Sequence, residues 1–411
     1  MRARCSLAVA LGVTVIALGG CALIGSHPVP HPVAAVVAPP PPAPPAPELP
    51  APIDTHKFVL TNADDDVVGA VQIVTASKED TLPDIARRFN VGYEEIVRAN
   101  PGVDPWIPGQ GRSIVVPTRF VLPNAPREGI VINVAAMRLY YFPPHKPGEP
   151  VVVYTHPIGI GKVGWSTPEG VTKVVTHRKD PIWRPSAALR KDYLNDRGED
   201  LPAVVMPGPD NPLGKFEMTL GWPSYLIHGT NKPYGVGLRS SHGCIRLYPE
   251  DIEKLYGMVT NGTAVRVVNQ PFVFGWHEQQ LYLQPLTVLE DDPRNWRQAQ
   301  KQLLLHGLSA HSRQALKTAG AEIDWQSVAA ITHVPRGIPV PIEGVPVSGG
   351  GDGIEAVLAA APVVANRIPD GANWDGIDDT GTDGKSAQQL LSEREPAVAP
   401  PHAPPPHLPR G

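Results

Sequence analysis

The sequence predicts a mainly β protein: a β-rich sandwich or barrel, preceded by a small βααβ module, with Pro-rich ends expected to be disordered. Three observations carry this. Short alternating apolar runs, rather than long helical ones, dominate residues 129–268. Two short helical patterns sit between strand-like runs within residues 58–123. The 50 prolines among 411 residues cluster at both ends, which sets much of the chain apart from a packed core. The length allows two compact domains plus flexible segments. A net charge of -4 provides no dominant basic field, which argues against nucleic acid as a partner.

Residues 1–21 read as a signal peptide. Met1-Arg2-Ala3-Arg4 is a basic start, and Ser6 to Leu18 is an apolar run shorter than a membrane span. Leu18-Gly19-Gly20-Cys21 then resembles a lipobox, which implies cleavage before Cys21, lipid attachment there and a membrane anchor. Ala22 in the next position implies the outer membrane for a Gram-negative lipoprotein. The cysteines are Cys5, Cys21 and Cys244. Cleavage removes the first and acylation consumes the second, so Cys244 is expected to be the one free thiol of an exported chain. Residues 22–57 are a Pro/Ala-rich linker favouring extended polyproline II.

In residues 58–123, Val71 to Val74 alternates like a strand. Asp80 or Thr81 caps a helix that presents Ile85, Ala86 and Phe89, and Val91 to Ala99 forms a second helix ended by Asn100-Pro101-Gly102. Ile114-Val115-Val116-Pro117 closes the unit. These segments, with Lys78-Glu79-Asp80-Thr81-Leu82, resemble the LysM fold, and that resemblance implies a module gripping N-acetylglucosamine polymers. Lys78-Glu79 departs from the Gly that many such modules carry before the Asp.

The main domain is expected over residues 127–269. Ile130 to Val134 and Met137 to Phe142 form a hairpin, followed by strands at Val151 to Thr155 and Val171 to His177. The Gly159, Gly161 and Gly164 stretch reads as turn chemistry. Trp183-Arg184-Pro185 opens a long polar excursion. Pro249 opens the one clear helix, Asn261-Gly262 closes it, and Ala264 to Val268 returns as a strand. Residues 270–335 form a C-terminal extension, with a strand pair over Phe272 to Leu283 and helical spacing from Pro293 to Leu316. Residues 336–411 read as a Pro/Gly-rich, disordered tail, with room for a short helix around Gly353 to Ala361.

The chemistry concentrates in His228-Gly229-Thr230-Asn231 and Ser241-His242-Gly243-Cys244-Ile245-Arg246. A cysteine nucleophile needs a base or a positive neighbour, and His228 and His242 both qualify. Gly243 lets the backbone approach a substrate carbonyl, and successive N–H groups there can form an oxyanion hole. Arg246 lies on the same face of a strand as Cys244 and can take a carboxylate or support the loop. A zinc site is the rival reading. It lacks a second cysteine or an intervening carboxylate, and His242 and Cys244 are only two apart.

The two blocks and their spacing are similar to the motif of the L,D-transpeptidase catalytic domain, the YkuD or ErfK family. That resemblance implies Cys244 as nucleophile, His228 as proton donor and acceptor, and the Gly229 carbonyl as orienter of the base. His242 and Gly243 would line the pocket and oxyanion hole, while Ser241 and Arg246 would hold the loop or touch substrate. It implies peptidoglycan stem peptides and glycan as partners, with another stem, an outer-membrane lipoprotein or water as acceptor. A periplasmic or cell-envelope location follows, and the reaction requires no metal or organic cofactor. Hydrolysis by the same residues and an inactive glycan-binding scaffold are the alternatives.

Overall fold

The computed structural model describes residues 48–62, 64–198, 200–343 and 353–376. The signal-peptide, lipobox and Cys21 readings, most of the linker and residues 377–411 lie outside the described residues. Among the described residues no helix is long and apolar enough to cross a membrane.

A nine-stranded sheet dominates. Its order runs Lys57–Val59, Val152–Pro157, Arg138–Phe142, Gly129–Asn133, Ala264–Val268, Gly170–Lys179, Phe216–Leu220, Leu226–His228, Ile245–Arg246. Neighbours are antiparallel except Ala264–Val268 with Gly129–Asn133 and Leu226–His228 with Ile245–Arg246. The sheet curls. A bridge from Arg246 to Gly159 ties its last strand back to the chain just beyond Val152–Pro157, near the opposite edge. Ile130, Ile132, Leu139, Met218, Ile227, Ile245 and Val265 fill the concave core, joined by Ile252 and Leu255 of the helix Pro249–Met258. Each such side chain contributes about 1.5–3 kcal/mol by leaving water.

The small module has the expected strand, helix, helix, strand order: Gln72–Thr75, Leu82–Arg88, Tyr93–Ala99, Ser113–Val116. Thr81 caps the first helix in a reciprocal box with Asp84. Leu82, Ile85, Phe89, Ile96 and Ile114 form its fully buried core. Beyond the main sheet, Phe272–His277, Gln280–Pro285 and Val340–Pro341 make a three-stranded sheet covered by Trp296–Gly307, Ala310–Ala319 and Trp325–His333.

Three expectations need correction. The end of the linker is packed: Thr55 and His56 are buried, and Lys57–Val59 joins the nine-stranded sheet rather than the small module. The polar excursion after Trp183 contains a helix, Ala187–Arg197. The tail is not wholly disordered. Ile338, Val340 and Ile342 are buried, Ile354–Ala360 forms the short helix for which the sequence left room, and the segment after it lies along the small module. There Pro362 accepts from the Ile73 N–H, Val364 donates to Ile73 O, and the Val364 side chain enters the module's core. Apolar residues widely spaced in a Pro/Gly-rich stretch carry no period, so their burial is decided by the edge that receives them. Replacing Val364 with Asp should therefore free this edge. Hydrogen exchange at the Ile73 amide is expected to accelerate about ten-fold or more, read by mass spectrometry or NMR, while the large sheet keeps its protection.

Candidate active site

Two adjacent strands build the site. Ile227 pairs with Ile245 and His228 with Arg246, in parallel. Ile227 and Ile245 point into the core. The twofold alternation of strands therefore turns His228 and Arg246 to the opposite face, and Cys244, two residues before Arg246, to that same side.

His228 is buried, and its Nδ1 lies 2.6 Å from the Gly229 carbonyl oxygen. A carbonyl only accepts, so Nδ1 carries the proton and Nε2 keeps its lone pair when the ring is neutral. Cys244 is a free, half-buried thiol whose Sγ donates to the Ser224 carbonyl at 3.6 Å. Ser224 holds the left-handed conformation at φ 69°, a strain sustained at the turn that delivers this carbonyl. Ser241 is buried and its Oγ donates to the Cys244 carbonyl at 2.6 Å. Gly243 has φ 100°, and a Cβ there would lie 2.7 Å from the Tyr225 ring, so glycine is required on two counts. Thr167 Oγ1 donates to the Gly243 carbonyl at 3.0 Å. The Arg246 guanidinium donates to Ser240 Oγ at 3.2 Å, its buried Nε has no partner, and no carboxylate pairs with it among the described residues.

Comparison with known proteins finds relatives of both domains. The L,D-transpeptidase catalytic domain model matches residues 127–267 and the LysM domain model residues 74–105. A probable L,D-transpeptidase YcfS of Escherichia coli is 42% identical over 271 residues, covering 64% of this chain and 80% of that protein. A probable L,D-transpeptidase ErfK/SrfK of the same organism is 35% identical over 289 residues, covering 67% of this chain and 87% of that protein. The chain belongs to the L,D-transpeptidase family.

In this L,D-transpeptidase burial works against the charged form of both the thiol and the imidazole. Burial, aided by the Arg246 charge, pushes His228 down to about 3, against the pull of the Gly229 and Leu213 carbonyls. Burial pushes the Cys244 thiol up, opposed by the Leu226 N–H and by Arg246. Burial also lowers Arg246, whose guanidinium nonetheless stays charged.

His242 stands apart from this pair in its bonding. Its Nε2 lies 2.8 Å from Asp192 Oδ2, and its ring meets the Trp165 ring edge-on at 5.0 Å. Asp192 also accepts from Lys162 Nζ at 2.9 Å. Asp192, Lys162, Trp165 and Tyr225 are site neighbours that the motif does not contain. The caps Ser186 and Gly198 were the available sign of the helix that brings Asp192 in. Among the described residues, no cluster of three or more His, Cys, Asp or Glu residues could hold a metal.

Burial of neutral His228 and of His56, which burial lowers to about 4, predicts a defined acid sensitivity. Unfolded histidines gain protons near their ordinary value of 6.5, while these two do not until far lower pH. Their stabilisation is full above pH 6.5 and is lost as pH falls toward 4 and 3. Each should remove about 2 kcal/mol between pH 7 and pH 5. Urea titrations at the two pH values should show His228→Gln losing its share of that difference.

Proposed function

We propose that this chain is an extracytoplasmic peptidoglycan L,D-transpeptidase that works through a Cys244 thioester. The observation carrying the proposal is His228: its Nδ1 is pinned at 2.6 Å to Gly229 O, and it pairs with Arg246, two residues beyond Cys244. In the proposed first step Nε2 takes the thiol proton as Sγ bonds to the carbonyl carbon of residue three in a donor tetrapeptide stem, a diamino acid. Transfer is proposed to accompany attack, because burial disfavours the charged form of each group. The backbone N–H groups of His242, Gly243 and Cys244 receive the oxyanion. Collapse breaks the peptide C–N bond, His228 returns the proton to the departing D-alanine amine, and the thioester remains.

An acceptor amine then attacks the thioester, loses a proton to His228 and expels the thiol. A diamino-acid side chain on another stem gives a 3→3 cross-link. The lysine of an outer-membrane lipoprotein gives attachment of that protein to the wall, and water gives a tripeptide. Arg246, a cation without a carboxylate partner among the described residues, suits a stem carboxylate. The LysM-like module is proposed to hold the glycan, and Cys21 is proposed as a lipid anchor.

Purified protein incubated with tetrapeptide muropeptides should release D-alanine and yield cross-linked dimers or tripeptides, identified by mass spectrometry. Cys244→Ala should yield neither, and His228→Gln should slow turnover about 10²–10⁴-fold. Product formation unchanged by Cys244→Ala would overturn the thioester route. A second check uses a carbapenem, which should add covalently to Cys244 and leave Cys244→Ala unmodified.

A further inference from the structure

The helix Ala187–Arg197 rises from the polar excursion, begins at the Ser186 cap and ends at Gly198 in the left-handed conformation. It has a weak apolar face, and the contact it makes at the site is the Asp192 carboxylate. One oxygen, Oδ2, accepts from two cations or donors: His242 Nε2 at 2.8 Å and Lys162 Nζ at 2.9 Å. Both border the Cys244 turn. The Lys162 backbone N–H donates to Ser241 O at 2.9 Å, and His242 lies two residues before Cys244. Trp165 closes the other side of the His242 ring.

Magnitude decides what this arrangement is for. Asp192 and His242 are about a quarter exposed, at 26% and 25%. Ion pairs this open add little to stability, too little to serve as a staple of the fold. Their geometry, however, fixes an otherwise rotatable ring from both sides. A carboxylate only accepts, so Nε2 of His242 carries a proton and the ring's orientation is set.

We propose that Asp192 is a positioning residue: from its helix it orients His242 and Lys162 and so holds the Ser241–Cys244 turn in the form the reaction uses. This rests on the reading of Cys244 as nucleophile. The group acts through His242, whose backbone N–H is among the proposed oxyanion donors, and does not itself meet the reacting atoms.

The test is a double-variant cycle on the full chain, read as kcat/KM for D-alanine release from tetrapeptide muropeptides. Asp192→Asn and His242→Asn are each expected to lower kcat/KM about ten-fold, and the double variant should fall no further than His242→Asn alone. Asp192→Glu should recover most of the loss. Alkylation of Cys244 by iodoacetamide, which needs no oriented oxyanion pocket, should stay within about two-fold of the parent. Full additivity in the cycle, or an unaltered kcat/KM in Asp192→Asn, would overturn the inference. Histidine ring 15N shifts in the unaltered protein supply a check free of variant folding. Protonated Nε2 at His242 is expected, and an Nδ1–H tautomer with bare Nε2 would also overturn it. Failure of the parent protein to release D-alanine would instead count against the thioester reading.

Discussion

The parallel pairing of Leu226–His228 with Ile245–Arg246 is the constraint on which the site depends. A shift of one residue would exchange the faces. Ile227 and Ile245 would leave the core, and His228 and Arg246 would enter it. The apolar residues thus hold the register that the polar ones need. The Gly159–Arg246 bridge fixes the same strand from its other edge, with two hydrogen bonds of 2.8 and 3.0 Å. A site placed on a short strand is thereby clamped between two neighbours. The turn before Cys244 needs further support, and it comes from Ser241, Thr167 and the glycine at 243.

The same sheet holds the small module in place. Arg138, fully buried, directs Nε and Nη2 to the two oxygens of Glu95 at 2.7 and 2.8 Å, and Nη2 also donates to Asn90 O. Its guanidinium lies 3.9 Å from the centroid of Phe120. Taking both charges out of water costs several kcal/mol per ion, so the pair is a weak source of net stability. It is a strong source of orientation, because a misdocked module would strand a buried arginine. Arg87 with Glu250 and Tyr248 Oη with the Val91 carbonyl repeat the tie at the helix Pro249–Met258. Gly92 and Gly237 pack so closely that a Cβ on either would collide with the other's backbone. The module is therefore docked on the loop that leads from His228 to Cys244.

What the sequence made legible follows from how locally each feature is encoded. Cys244, Gly243, Ser241 and Arg246 stand in one contiguous block, and the His228–Gly229 contact joins adjacent residues, so these features lie within reach of a local motif and of the resemblance it carries. The alternating strands of residues 129–142 and the capped helix at Thr81 were likewise written in short windows. Asp192 was not readable as a neighbour of His242. Fifty residues separate them, and the helix that carries Asp192 has too weak an apolar stripe to signal where it packs. Lys57–Val59 was not readable as a strand, because three residues carry no period and their pairing with Val152–Pro157 is a long-range choice. Val364 escaped for a similar reason, since one valine filling a gap in another module's core leaves no pattern in its own neighbourhood.

The resting charge state connects these pieces. Desolvation makes both His228⁺ and the Cys244 thiolate unfavourable, so burial at the site favours the neutral form of each. A thiol is far less reactive than a thiolate toward disulfides and peroxides. For an exported chain whose single mature cysteine is its nucleophile, as proposed here, that neutrality protects the sulfur between turnovers. On the proposed route activation accompanies substrate, whose carbonyl supplies the developing negative charge that the backbone N–H groups of the Cys244 turn are proposed to receive. Burial that would be a handicap for a free thiolate thus suits a site in which proton transfer and attack occur together. The orientation of the turn, rather than the resting acidity of the thiol, becomes the quantity that the surrounding residues have to hold.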